Sequence, residues 1–150
     1  MPFDMPISRD EPDREVLGQI NAIEVLLQRD GWCQRTWKDY DGRRCLGQAI
    51  LEVCKIRVVG RWRLLTFGWP RKPAILLIRR ATFEVTGRKF KGVLALNEDG
   101  ATTEETIFQV LRRAREILAA DVVAHPAVKQ KWRLLAKAGA AITPFVTAAF

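Results

Sequence analysis

The sequence contains few residues that could bind a metal ion or a phosphate-bearing cofactor. Its only histidine is His125, and eleven and eight residues separate its three cysteines, Cys33, Cys45 and Cys54. No two cysteines form the close CxxC pair that structural zinc sites commonly use. The phosphate-binding loops GxGxxG and GxxxxGK[ST] do not occur either. We therefore expect neither a metal site nor a bound cofactor.

Long apolar runs and signal-like segments are also missing. No stretch reaches the ~18 consecutive apolar residues of a membrane-spanning helix. Residues 1–15 are acidic and contain prolines, unlike a secretory signal. An odd number of cysteines without such a signal favours reduced thiols. The sequence thus predicts a cytoplasmic protein without a membrane span.

Acidic residues are scarce in the middle of the chain. The net charge is +8, but residues 29–91 alone hold sixteen Lys or Arg against five Asp or Glu. Residues 1–28 hold two basic against six acidic residues, and residues 92–150 hold seven against six. Such an asymmetry favours an acidic partner: nucleic acid, an acidic protein surface or an anionic membrane face. A basic surface that only aids solubility is the alternative.

Apolar periodicity predicts a single, mainly α-helical domain built as a compact bundle of about five helices. The length of 150 residues suits one domain. Apolar side chains recur every three or four positions from Val16 to Leu27 and again from Ile107 to Leu118, as in buried helical faces. We expect helices over residues 11–30, 45–55, 73–86, from a Thr102–Glu105 capping box to about 121, and 126–139.

Several segments fit more than one structure. Apolar and basic side chains alternate in residues 56–72, which favours a short strand pair, but glycines interrupt the pattern, so an irregular insertion is the alternative. The run VLAL at 93–96 indicates a strand or a buried connector. A hairpin around 85–88 competes with the end of the third helix. We expect residues 1–10 to be irregular and residues 140–150 to form an apolar C-terminal tail.

The stretch GWCQRTWKDYDGRRCLGQAI joins the first two predicted helices through an Asp-Gly turn. Cys45 stands at a helix start beside two arginines, and both features favour a reactive thiolate. With His125 as its base, Cys45 would be a candidate nucleophile. Free cysteines are more often buried packing residues, so a cysteine-dependent enzyme is the less favoured alternative.

Aromatic residues are interleaved with cations in the basic block, in the clusters RTWKDY, GRWR, FGWPRK and GRKFK. Lys and Arg would neutralise phosphates, and aromatic rings would stack on exposed bases. The sequence therefore predicts a basic, aromatic face that contacts nucleic acid or an acidic protein surface. Its residues are Arg35, Trp37, Lys38, Tyr40, Arg43, Arg44, Arg61, Trp62, Arg63, Trp69, Arg71, Lys72, Arg88, Lys89 and Lys91.

A role in a protein complex would use the same face, because Arg, Trp and Tyr are enriched at interface hot spots. The apolar tail, which contains Phe145 and Phe150, would then dock on a partner or on a second copy of the chain. A subunit, adaptor or inhibitor is thus an alternative to a nucleic-acid-binding protein.

Several short motifs lie at or between the predicted helices: Gly31–Gln34, Asp41–Arg43, Cys45–Gly47, Asn97–Asp99, and a helix capped by Thr102 that contains Arg113-Ala114. Spread over residues 15–120, they resemble an uncharacterised family of small bacterial and phage proteins. Leu96 departs from that pattern, which tends to have tryptophan there, and residues 56–72 and those after 125 look like additions. The resemblance implies a bacterial or phage origin and a compact, mainly helical domain, but no mechanism.

Overall fold

The computed structural model describes residues 11–57, 69–124 and 134. Five α-helices lie in this part of the chain: α1 (Glu11–Asp30), α2 (Leu46–Val53), α3 (Pro73–Thr86), α4 (Val93–Glu98) and α5 (Glu104–Ala124). The described residues form no strand, only isolated β-bridges from Arg44 to Trp32 and to Lys38. The prediction of a mainly α-helical domain is confirmed. None of the described helices is long and apolar enough to cross a membrane.

The apolar stripe of α1 faces the core, as its spacing predicts. Its buried side chains are Val16, Ile20, Ile23 and Leu27. Gly31 ends the helix with φ +88°, and its N–H donates to the Leu27 carbonyl at 2.8 Å. A side chain at Gly31 would be strained by this φ, and its Cβ would lie 2.8 Å from Arg43 Cγ. Glycine therefore fixes the direction in which the chain leaves α1.

Helices α3 and α5 form the most extensive helix pair in the described part of the chain. Both helices contribute fully buried aliphatic side chains to the core, among them Ile75, Ile78, Ile107, Val110 and Leu111. The predicted helix over 73–86 is confirmed, and Gly87 ends it in the left-handed conformation. The hairpin alternative for residues 85–88 is wrong.

The run VLAL belongs to a short helix, α4, rather than to a strand or an irregular connector. The N–H of Leu96 donates to the Gly92 carbonyl at 3.3 Å, and that of Asp99 donates to Ala95 at 3.1 Å. Val93 and Leu96 are both buried, which matches the helical spacing of three residues. A four-residue apolar run is too short to reveal this period in the sequence.

The observed helix ends differ slightly from the predicted ones. Helix α2 covers Leu46–Val53, with Cys45 as its N-cap. Thr103 rather than Thr102 caps α5: its Oγ1 accepts from the Thr106 N–H at 3.2 Å, whereas Thr102 is buried. The predictions for the irregular start, most of the 56–72 insertion, the helix over 126–139 and the apolar tail concern residues outside the described ranges.

Glu84 links α3 to α5 through ion pairs. Its carboxylate accepts from Arg113 at 2.7 Å and from Arg80 at 3.2 Å. Burial acts to raise the pKa of Glu84, but the hydrogen bonds and charges of Arg113 and Arg80 outweigh burial and hold this pKa below its ordinary value. Such a carboxylate stabilises the fold above its unfolded pKa, and the contribution is lost as the pH falls through the folded pKa.

We expect the free energy of unfolding to fall between roughly pH 5 and pH 3, and Glu84→Gln to make this fall smaller because it removes a titrating group. Urea unfolding over that pH range measures both. Glu98→Gln is the control, since Glu98 is exposed and forms no ion pair with any described residue. The same pH dependence in the wild type and Glu84→Gln would contradict the prediction.

Candidate functional site

Arg44 holds together the corner between α1 and α2, residues 31–45. Its guanidinium donates to the carboxylate of Asp30, at the end of α1, and to both oxygens of Glu52, in α2, at 2.9 and 3.0 Å. The Arg44 side chain is only 13% exposed. This cation of the predicted binding face therefore serves the fold and is not presented to a partner.

Two other cations of the corner, Arg43 and Lys38, lie close to carboxylates as well. Arg43 Nε donates to Asp39 Oδ2 at 2.6 Å, and the Arg43 backbone N–H donates to Asp39 Oδ1 at 2.8 Å. Burial acts to raise the pKa of Asp39, but the hydrogen bonds and charge of Arg43 outweigh burial and lower this pKa. Lys38 lies within electrostatic range of Asp30 and Glu52. The positive charge of the corner is thus largely matched inside the protein.

Two tryptophans of the predicted face pack inward. Trp69 is 8% exposed, and its ring centre lies 6.5 Å from that of Trp37, which is half-buried against the core. The Trp69 ring also fills the space beside Gly47 of α2, where a Cβ would lie 3.3 Å from it. Trp69 is a core residue, which corrects the expectation of a ring on the surface. Tyr40, in contrast, is fully exposed.

All three cysteines are free and buried. The Cys33 thiol donates to two backbone carbonyls, and burial raises its pKa, as burial also raises the pKa of Cys54. Cys45 Sγ accepts from the Gln48 N–H at 3.2 Å at the start of α2. His125, its proposed base, lies outside the described residues. Within the described part of the chain, no three metal-ligating side chains cluster.

A small cleft opens beside Cys45, between the corner and α4. Its cavity volume is about 30 Å³, and its walls include Arg35, Trp37 and Glu98. Arg35 has φ +64°, a left-handed conformation that is uncommon for any residue but glycine. Small-molecule sites typically enclose ~300–1,000 Å³. The size of this cleft therefore gives little support to a substrate pocket at Cys45.

Asn97 connects the corner to α4 through a buried side-chain amide. Its Oδ1 accepts from Trp32 Nε1–H at 2.7 Å and from the Leu46 N–H at 3.3 Å, and its Nδ2 donates to the Cys33 carbonyl at 3.4 Å. The sequence analysis named Asn97 only as part of the motif Asn97–Asp99 and missed this role. The sequence signal for this role was a polar residue directly after the apolar run VLAL.

Cations gather near the start of α3 and in the loop before α4. Arg79 Nη2 donates to the Lys91 carbonyl at 3.5 Å, and burial followed by the charge of Arg71 lowers the pKa of Arg79. Arg71, Lys89 and Lys91 are exposed. None of the described residues forms an ion pair with Arg71 or Lys91. We call Arg71, Arg79, Lys89 and Lys91 the α3 basic surface.

The remaining residues of the predicted binding face lie in different environments. Lys72 Nζ donates to the Cys54 carbonyl at 3.0 Å. Arg88 pairs with Asp99 and lies 5.0 Å from the centre of the Phe90 ring. Three predicted residues lie outside the described ranges: Arg61, Trp62 and Arg63. Arg79, which the sequence analysis did not select, joins the surface because α3 turns it towards Lys91.

Comparison with known protein families finds a match. A family model described as a family of unknown function (DUF6197) matches residues 10–117, from α1 through most of α5. The match includes the corner, Asn97 and the α3 basic surface. No curated protein and no solved structure matches the chain.

Asn97→Ala should strongly destabilise the protein, because it leaves the Trp32 indole N–H and the Leu46 N–H without their acceptor. Each unsatisfied buried donor costs about 1–3 kcal/mol, so we expect the free energy of unfolding to fall by about 2–4 kcal/mol. Urea unfolding measures the change. Gln109→Ala, on the exposed side of α5, is the control and should change it by less than about 0.5 kcal/mol. A loss below about 1 kcal/mol in Asn97→Ala would contradict this role of the amide.

The three thiols should react with Ellman's reagent at least about 100-fold more slowly in the native protein than in denaturant, because they are buried. Comparing the wild type with Cys45→Ser isolates the rate at Cys45. A fast native-state reaction that disappears in Cys45→Ser would instead indicate an accessible thiolate and restore Cys45 as a candidate nucleophile.

Proposed function

Since the chain belongs to a family of unknown function (DUF6197), we propose its activity from the chemistry of its surface: it is a non-enzymatic protein that binds the phosphate backbone of nucleic acid. The contact is made by the α3 basic surface. The observation that carries the proposal is the grouping of Arg71, Arg79 and Lys91, in which no described carboxylate pairs with Arg71 or Lys91.

The distribution of ion pairs distinguishes this surface from the corner. At the corner, Arg43 and Arg44 each donate to carboxylates. At the α3 basic surface, burial lowers the pKa of Arg79, and the charge of Arg71 lowers this pKa further. An anion bound beside Arg71 would offset the effect of its charge. Phosphate groups provide such an anion at regular intervals along a nucleic acid.

Nucleic acid suits the α3 basic surface better than an acidic protein does. Protein interfaces depend on a few aromatic or apolar anchors that enter pockets, but Trp69 is buried and Phe90 is half-buried near Arg88. Contacts to phosphates need positive charge and no exposed ring. We therefore propose binding that does not depend on base sequence. A role on DNA or RNA in a cell without a nucleus would place the protein in the cytoplasm. The buried free thiols fit that location.

A cysteine-dependent enzyme has less support. The Cys45 thiol is buried, it already accepts a backbone hydrogen bond, and the neighbouring cleft is small. If the protein does not bind nucleic acid, we expect it to be a subunit, adaptor or inhibitor that uses the same cations.

Fluorescence anisotropy with random-sequence duplex DNA and RNA tests the proposal. With about four phosphate contacts, affinity should fall about 100-fold between 50 and 200 mM salt. The triple variant Arg71→Ala, Lys89→Ala, Lys91→Ala should bind much more weakly at low salt. The slope of log K against log salt should also become shallower by about 0.9 for each phosphate contact that is lost.

The matched control removes three exposed cations elsewhere: Arg14→Ala, Lys38→Ala and Arg112→Ala. It lowers the net charge equally and should retain most of the affinity. Equal losses in the two triple variants would show an effect of net charge alone and contradict a defined surface. Absence of binding to both nucleic acids at low salt would overturn the proposal in favour of an acidic protein partner.

A further inference from the structure

Helix α3 carries an aromatic ring on its solvent side. Phe83 is 41% exposed, although Ala81 and Thr82, which precede it in the helix, are buried. Among the described residues, only Phe83 and Tyr40 are exposed aromatic side chains. Phe83 lies outside the aromatic clusters of the basic block, so the sequence did not point to it. The structure thus adds a ring to the residues that are open to a ligand.

The Phe83 ring adjoins the α3 basic surface. Arg79 precedes Phe83 by four residues, and side chains at this spacing are neighbours on a helix, with Cβ atoms about 5–6 Å apart. Arg79 Nη2 donates to the Lys91 carbonyl at 3.5 Å, so Arg79 lies between the ring and the loop before α4. The neighbouring carboxylate of Glu84 is matched by arginines of α3 and α5. A flat apolar ring and a group of cations therefore lie side by side.

The second ring near these cations is less open to a ligand. Phe90 is half-buried, and the guanidinium of Arg88 lies 5.0 Å from the centre of its ring. Phe90 also lines a crevice with Arg79 and Thr82, and the cavity volume of this crevice is about 0 Å³. No ligand fits between α3 and the loop, so a ligand of these cations has to lie over the surface, where Phe83 is exposed.

We infer, on the premise that the α3 basic surface binds nucleic acid as proposed, that the bound strand is single and that Phe83 stacks on one of its unpaired bases. A nucleotide joins a flat base to a charged phosphate, so its site needs a ring beside a cation, as Phe83 stands beside Arg79. Bases of a single strand can turn out and stack on aromatic side chains, whereas the paired bases of a duplex stack on each other. Stacking accepts every base, because each base has a π-face. The binding therefore stays independent of sequence.

Fluorescence anisotropy at one low salt concentration, with a random single-stranded DNA and a duplex of the same length, tests the inference. The wild type should bind the single strand more tightly. Phe83→Ala should weaken single-strand binding by at least about fivefold, as expected for the loss of one stacked base, and should leave duplex binding unchanged. Phe83→Trp should retain the single-strand affinity because it keeps a ring, and Phe83→Leu should not.

Tyr40→Ala is the matched control. It removes the other exposed ring, which lies at the corner, where Arg43 and Arg44 donate to carboxylates. This variant should bind the single strand like the wild type. Circular dichroism of Phe83→Ala and Phe83→Leu should match that of the wild type, because the replaced ring is exposed.

Three results would overturn the inference while leaving phosphate binding intact: equal wild-type affinity for the single strand and the duplex, a single-strand affinity that survives in Phe83→Ala or Phe83→Leu, and equal losses in Phe83→Ala and Tyr40→Ala. An equal loss of duplex and single-strand binding in Phe83→Ala would also contradict stacking. Absence of binding to either DNA would overturn the proposed function together with the inference.

Discussion

The buried amide of Asn97 is the contact on which the arrangement of the corner depends. Residues 31–45 form isolated bridges and no sheet, so their backbone and indole groups need other partners once they are buried. One side chain of α4 supplies an acceptor to Trp32 and Leu46 and a donor to Cys33. Because these groups come from both ends of the corner, the amide fixes how α2 starts, and hence where α4 and Trp69 pack against Gly47.

The position of the corner in turn determines which of its cations pair with carboxylates. With α2 placed beside the end of α1, Asp30 and Glu52 lie on either side of Arg44, and the tight turn brings Asp39 to Arg43. The basic block of residues 29–91 therefore has two different parts in the folded protein. In the first part, at the corner, the cations pair with nearby carboxylates. In the later part, around the start of α3, cations lie near one another instead.

The periodic parts of the fold could be predicted from the sequence, since α1, α3 and α5 each bury one side over several turns and repeat the 3.6-residue pattern often enough to reveal it. Helix α4 could not, because its six residues complete less than two turns. The burial of Trp69 could not be predicted either, since it depends on a glycine twenty-two residues away that leaves room for its ring. The pairing of Arg44 with Glu52 likewise requires the relative position of two helices, which local spacing does not contain.

The proposed contact with nucleic acid follows from the charges that the fold leaves without a carboxylate partner. Ion pairs within and between helices, such as Glu84 with Arg113 and Asp121 with Arg80, show that this chain matches exposed charge where its helices allow it. The α3 basic surface lies where described carboxylates pair with neither Arg71 nor Lys91. The phosphate groups of a nucleic acid would supply there the negative charge that carboxylates supply elsewhere in the fold.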